Sequence, residues 1–265
     1  MPKTITLNSF DHLLIKGTIY EAKKPIKEPI VYLHGGGLVF GEREDLPKAY
    51  IDLFLEAGHS FITIDYLLAP ETKLDQIFRT LKETIQTLKL GNDYILLGRS
   101  AGAYLASLLL KSGEQPKAFI SFYGYNRLDW QEFHYPNAFY NKYPRVLPLD
   151  VENLLEKQPL TSGQMDKRFP IYLSARQFGT WQTMLLNNHQ EANQFSLTKT
   201  DLERFPKTIL VHCSEDPDVP YQSSVEASQQ ILNNQLITIE ANEHDFDRSV
   251  TKRNLEIYQQ IINAI

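Results

Sequence analysis

Short apolar runs alternate along the chain with longer stretches in which apolar residues return every three or four positions. The runs at 30–33, 61–64, 94–97, 118–122, 208–213 and 236–239 have the length and apolar content of strands. Most are apolar without interruption, which predicts burial on both faces and so parallel strands lying under helices. The stretches 46–56, 74–88, 101–111, 223–232 and 252–262 carry the helical period that supplies those helices. Alternation of the two kinds predicts an α/β fold: a mostly parallel central sheet flanked by helices. Residues 4–7 and 13–20 alternate instead, and predict an antiparallel pair at the sheet edge.

One segment breaks the rhythm. Residues 125–205 hold no strong strand but many aromatics and several prolines, too long a stretch for an ordinary connection. We read it as a lid inserted into a single domain that spans 1–265. Within it, Asp150 is expected to cap a helix, with Glu152 in the first turn and Leu154 and Leu155 starting an apolar face. Asn153 stands where a full capping box would need Glu or Gln.

Composition changes the picture mainly by exclusion. A net charge of -5, with the basic residues dispersed among acidic ones, leaves no cationic stripe to neutralise phosphates, so nucleic acid is set aside as a partner. Residues 1–14 show no basic region followed by an apolar core, and no run of roughly eighteen apolar residues occurs, so neither export nor a membrane is expected. The only cysteine, Cys213, lies in an apolar run and reads as a buried thiol, which fits a cytoplasmic setting.

Candidate chemistry gathers at the ends of the expected strands. Gly98-Arg99-Ser100-Ala101-Gly102 joins a strand to a helix, where a sharp turn holds a serine hydroxyl above the sheet edge. Ser100 is therefore the candidate nucleophile. His34-Gly35-Gly36-Gly37 follows the strand at 30–33 and leaves backbone N–H groups unshielded. The amides of Gly36 and Gly37, with that of Ala101 at the helix start, are the candidate oxyanion donors, in related cases worth about 3 to 4 kcal/mol each. His34 is read as a residue that holds this loop in shape. Asp216 and Asp218 follow the strand at 208–213; Asp216, nearer the strand end, is preferred as the acid that orients a histidine. His244, on the loop after the strand at 236–239, is the candidate general base, whereas His212 lies within a strand and reads as buried. Nucleophile, acid and histidine thus occur in the order of a strand-turn-helix serine hydrolase.

Taken together, these motifs, with Asp65-Tyr66-Leu67-Leu68-Ala69-Pro70-Glu71, Val219-Pro220 and Phe246, resemble the α/β-hydrolase superfamily, and within it bacterial esterases related to hormone-sensitive lipase. The resemblance implies a cofactor-independent carboxylesterase acting on short acyl esters, with a cap over the pocket. Two positions depart from the family pattern: Arg99 stands where it usually has Asp, and Leu67 where it usually has Arg, so a buried acid–base pairing is expected to be rearranged. The residues before the glycine motif offer no counterpart of the family's cap helices, so a lid must come from the insert. Its aromatics Trp130, Phe133, Tyr135, Phe139, Tyr140, Tyr143, Phe178 and Trp181 either line an acyl or aryl pocket or form the lid's own core.

The expected reaction is hydrolysis of a small-molecule ester through an acyl-enzyme on Ser100, needing neither metal nor organic cofactor. An amidase or peptidase would share the apparatus, and a ligand-binding protein could keep the fold without the chemistry.

Overall fold

The computed structural model describes residues 2–265. Eight strands form one sheet in the order β1-β2-β4-β3-β5-β6-β7-β8. Strands β1 (Lys3–Phe10) and β2 (Leu13–Tyr20) pair antiparallel, and β2 pairs antiparallel with β4 (Phe61–Ile64). From β4 onward, β3 (Ile30–Leu33), β5 (Ile95–Arg99), β6 (Ala118–Phe122), β7 (Lys207–Cys213) and β8 (Asn234–Ile239) run parallel. The expected α/β architecture, including the antiparallel edge, is the one observed.

Parallel strands need crossover helices, and those helices split the core in two. Helices α1 (Lys48–Glu56) and α11 (Lys252–Ala264) cover one face, where Ile30, Tyr32, Ile95, Leu97 and Ile120 meet Tyr50, Phe54, Tyr258 and Ile261. Helices α2 (Leu74–Thr87) and α3 (Ala101–Lys111) cover the other, where Val31, Leu33, Leu96 and Phe119 meet Leu74, Ile77, Leu81 and Leu105. Successive residues of one strand point to opposite faces, and both faces are dry, so the runs had to be apolar throughout. Helix α10 (Tyr221–Gln230) is the crossover from β7 to β8, whereas α11 follows the last strand.

Element ends differ from expectation by a few residues. The first helix starts at Lys48 rather than 46 because Pro47 precedes it in extended geometry. Helix α10 runs two residues earlier than expected, after Pro220, and its chain leaves helical geometry at Ile231. Strand β5 begins at Ile95 and extends through Arg99, which puts Ser100 directly at the strand end.

Residues 123–206, between β6 and β7, carry six short or medium helices: α4 (Gln131–His134), α5 (Pro148–Glu152), α6 (Met165–Phe178), α7 (Trp181–Leu185), α8 (Glu191–Gln194) and α9 (Lys199–Leu202). Asp150 is not the cap of its helix. The N-cap of α5 is Leu147, Pro148 opens the first turn with its fixed φ, and Asp150 sits within that turn. Leu154 and Leu155 lie beyond the helix and are more than a third exposed, so they form no buried face.

The segment is fastened across the loops at the carboxyl ends of the sheet strands. Gly163 and Gly41 exchange backbone hydrogen bonds, Leu68 N–H donates to Leu160 O, and Asn137 Nδ2 donates to Pro217 O. Arg168 grips the loop after β4 with two bonds to Glu71, at 2.9 and 2.7 Å, and another to Ala69 O; both charged side chains are buried. No helix among the described residues is long and apolar enough to cross a membrane.

Candidate active site

Ser100 occupies the turn between β5 and α3 with φ +50 and ψ -117, a left-handed conformation that costs a non-glycine residue on the order of 1 to 3 kcal/mol. The surroundings enforce it. A Cβ on Gly102 would lie 2.2 Å from Leu33 O and 2.3 Å from His34 O, so only glycine lets α3 approach β3 closely enough to make the turn. The Ser100 N–H donates to Phe122 O, and the side chain is lifted toward the loops above the sheet edge.

His244 reaches this serine from the loop after β8. Its Nε2 lies 2.8 Å from Ser100 Oγ, and its Nδ1 lies 2.7 Å from Asp216 Oδ2. Carboxylate at Nδ1 fixes the tautomer with the proton there, leaving Nε2 free to accept the serine proton. Burial works against the imidazolium, but the charge and hydrogen bond of Asp216 outweigh it and push His244 up to about 9. Asp216, fully enclosed, would be penalised for its charge, yet His244 and His212 hold its carboxyl well below the usual range.

Every acceptor of Asp216 is used. The backbone N–H groups of Asp218 and Val219 donate to Oδ1 at 2.8 and 3.0 Å, while His212 Nε2 donates to Oδ2 at 3.1 Å. Ser224 Oγ, 2.7 Å from His212 Nδ1, fixes that ring in turn. Sequence reasoning placed His212 in a strand and left it there; it is buried in β7, but it also braces the acid. Its position four residues before Asp216, on the strand that ends at that loop, was the available signal.

The glycine loop after β3 lies opposite. Gly36 has φ +107 and Gly37 φ +60, and a Cβ on either would strike Phe40 O or the Tyr172 ring. Among the described residues their N–H groups donate to no backbone carbonyl, and the Ala101 amide is in the open first turn of α3. His34 is buried: its Nδ1 donates to Gly35 O at 2.7 Å, and Tyr66 stacks on the ring while donating to His34 O. Trp181 Nε1 donates to Gly37 O at 2.9 Å, so the segment above helps to set the loop.

A cavity of about 70 Å³ lies among Gly36, Gly37, Ser100, Tyr172, Asp218 and His244. It adjoins a wider one of about 380 Å³ faced by Phe40, Phe139, Tyr140, Tyr143 and Phe169. The aromatics singled out in the sequence thus divide: Phe139, Tyr140 and Tyr143 face this space, Phe133 and Trp181 pack in the core, and Tyr135 points to solvent. No group of three or more His, Cys, Asp or Glu side chains among the described residues is arranged to hold a metal ion.

The two departures from the family pattern resolve together. Leu67 is fully buried in the apolar core, and Arg99 pairs instead with Asp247 at 2.8 Å and with Asp45 at 3.3 Å. Asp247, three residues after His244, was not singled out in the sequence. Asp218 was passed over in favour of Asp216; its Oδ2 lies 3.8 Å from His244 Nε2, on the cavity side.

A model of the alpha/beta hydrolase fold family matches residues 30–247. The structure is similar to a Staphylococcus aureus protein of unknown function (29% identity, 99% of both chains covered, TM-score 0.91). It is also similar to an alpha/beta hydrolase superfamily protein from Enterococcus faecalis (28% identity, 100% of this chain and 98% of that one, TM-score 0.84). Carboxyl esterase 2 of Tuber melanosporum shares the fold at 18% identity and TM-score 0.69, covering all of this chain and 84% of its own. Among curated proteins, the non-reducing polyketide synthase adrD of Penicillium rubens is 27% identical over 143 residues, 45% of this chain. The chain spans only 6% of that synthase's length.

Proposed function

The chain belongs to the alpha/beta hydrolase fold family, and we propose that within it the protein is a serine carboxylesterase for short acyl esters. One observation carries the reading: hydrogen bonds of 2.8 and 2.7 Å run unbroken from Ser100 through His244 to Asp216, beside a small cavity bordered by Gly36 and Gly37.

In this reading Ser100 Oγ attacks the ester carbonyl as His244 Nε2 takes its proton. Asp216 stabilises the imidazolium at Nδ1. Negative charge gathers on the former carbonyl oxygen, where the amides of Gly36, Gly37 and Ala101 receive it. His244 then protonates the leaving alcohol, and an acyl group remains on Ser100. Water, deprotonated by His244, attacks that acyl-enzyme and releases the acid. The small cavity beside the nucleophile favours short acyl chains. Segment 125–205 serves as the lid of a single domain, and the aromatic space beneath it receives the rest of the substrate.

The test compares turnover of p-nitrophenyl acetate, butyrate and octanoate by wild type and Ser100→Ala, with a fluorophosphonate label located by mass spectrometry. The label is expected on Ser100, acetate and butyrate should turn over faster than octanoate, and kcat in the variant should fall on the order of a millionfold. No label, together with turnover equal to the buffer background, would sink the esterase reading.

A further inference from the structure

The site holds a second carboxylate that the reaction just described does not use. Asp218 is only 6% exposed, yet it borders the same cavity as Ser100 and His244. A buried charge of this kind is retained only where it is paired and hydrogen-bonded. Arg176, itself 1% exposed, lies 3.1 Å from Oδ1, and the Tyr172 hydroxyl lies 3.0 and 2.8 Å from Oδ1 and Oδ2. Arg176 also donates to Asp218 O at 3.0 Å, so both backbone and side chain are clamped.

These contacts leave acceptor capacity on Oδ2. A carboxylate offers about four lone-pair sites; the Tyr172 phenol and one guanidinium proton fill two, and the Tyr140 hydroxyl, which also hydrogen-bonds this carboxylate, fills at most a third. The free capacity faces the reacting end of His244, since Oδ2 stands 3.8 Å from Nε2. Two acceptors at that separation can be bridged by one water molecule at about 2.8 Å from each, with its two O–H bonds directed one to each acceptor. Asp216, with every lone pair engaged and on the far side of the imidazole, cannot take this place.

We propose that Asp218, clamped by Tyr172 and Arg176, positions the water that hydrolyses the acyl-enzyme, a role that rests on Ser100 being the acylated nucleophile. In that step one water proton goes to His244 Nε2 as the water oxygen bonds to the acyl carbon. The bond from that carbon to Ser100 Oγ then breaks, and His244 returns the proton to Oγ. The second water proton remains on the product acid. Asp218 takes no proton; it accepts a hydrogen bond from the water, fixing one lone pair toward the carbonyl carbon and one hydrogen toward Nε2. Orientation of this kind acts on deacylation alone, because in acylation the nucleophile is already held by the protein.

The test is rapid-mixing kinetics of the full chain with p-nitrophenyl acetate, wild type beside Asp218→Asn. The asparagine keeps the size of the group but offers a weaker acceptor. The expected result is an unchanged rate of the initial p-nitrophenolate burst followed by turnover slower on the order of tenfold, with kcat and KM falling together and kcat/KM preserved. Acetyl-Ser100 should then accumulate in the mass spectrum of quenched samples. A structural role alone would lower burst rate and kcat/KM along with kcat, and that pattern, or kinetics equal to wild type, would overturn the proposal. Fluorophosphonate labelling of the variant at the wild-type rate shows that the nucleophile is assembled; absence of label in the wild type would instead overturn the serine-esterase reading. Should Asp218→Asn not fold, Tyr172→Phe, which leaves the Arg176 pair intact, must show the same slowing confined to deacylation; kinetics equal to wild type there would also overturn the proposal.

Discussion

Removing both members of the Arg99–Asp247 pair should destabilise the fold by much less than the two single removals added together. Asp247 is fully buried and receives Arg99 Nη2 at 2.8 Å, Tyr123 OH at 2.6 Å and Tyr258 OH at 2.5 Å. Arg99, 5% exposed, also donates through Nε to Tyr123 OH at 2.6 Å. Arg99→Met leaves the carboxylate buried with phenols alone, and breaking a buried pair in this way costs about 3 to 5 kcal/mol. Asp247→Leu should fall near the low end of that range, about 3 kcal/mol, because Asp45 still faces Arg99 Nη1 at 3.3 Å. In a domain of this size each kcal/mol moves the melting temperature by about 2 to 4 °C, so either variant should melt about 6 to 12 °C or more below wild type. Arg99→Met/Asp247→Leu carries no unpaired charge from this pair, and should lose less than the sum of the singles by at least about 2 kcal/mol. Urea unfolding of the four proteins measures the cycle directly. Singles costing under about 1 kcal/mol each, as exposed pairs do, or losses that simply add, would refute the claim that this pair acts as a buried unit.

Two further outcomes follow from the site. In the proposed mechanism His244 works as a base only when neutral, and it is pushed up to about 9, so kcat/KM should keep climbing from pH 7 to pH 9 rather than level off above an ordinary histidine's 6.5. Asp216→Asn, which removes the main group raising it, should move that limb to lower pH; a wild-type plateau from pH 7 upward would contradict this. Gly102→Ala should abolish soluble folded protein or cost at least about 2 to 3 kcal/mol in urea unfolding, because the added Cβ meets the fixed carbonyls of Leu33 and His34 at 2.2 and 2.3 Å. Wild-type stability in that variant would mean that α3 and β3 can separate without loss.

Much of this molecule follows from local sequence. A continuous apolar run under helical neighbours is legible as a buried parallel strand because both sheet faces are covered, and all six such runs appear within the sheet. The turn that carries Ser100 was legible because strand, glycine-flanked turn and helix are consecutive in the chain. The error at Asp150 has the same origin: a good capping residue was read locally, whereas Pro148, two positions earlier, already starts the helix. The aromatics of the segment could not be sorted because pattern alone does not say which side of a short helix meets the core. Phe133 and Tyr135, two residues apart, end up buried and exposed.

By itself, then, the sequence determined which segments are strands and which are helices, and the three loops that carry a serine, an acid and a histidine, since each rests on a pattern among near neighbours in the chain. Only the tertiary structure decided which carboxylate meets Nδ1 and which faces Nε2, that His212 braces the acid, and that Arg99 finds its partner 148 residues away at Asp247. Those pairings depend on where separate loops converge above the sheet, and the chemistry of a carboxylate is the same in every loop until burial and neighbours make it different.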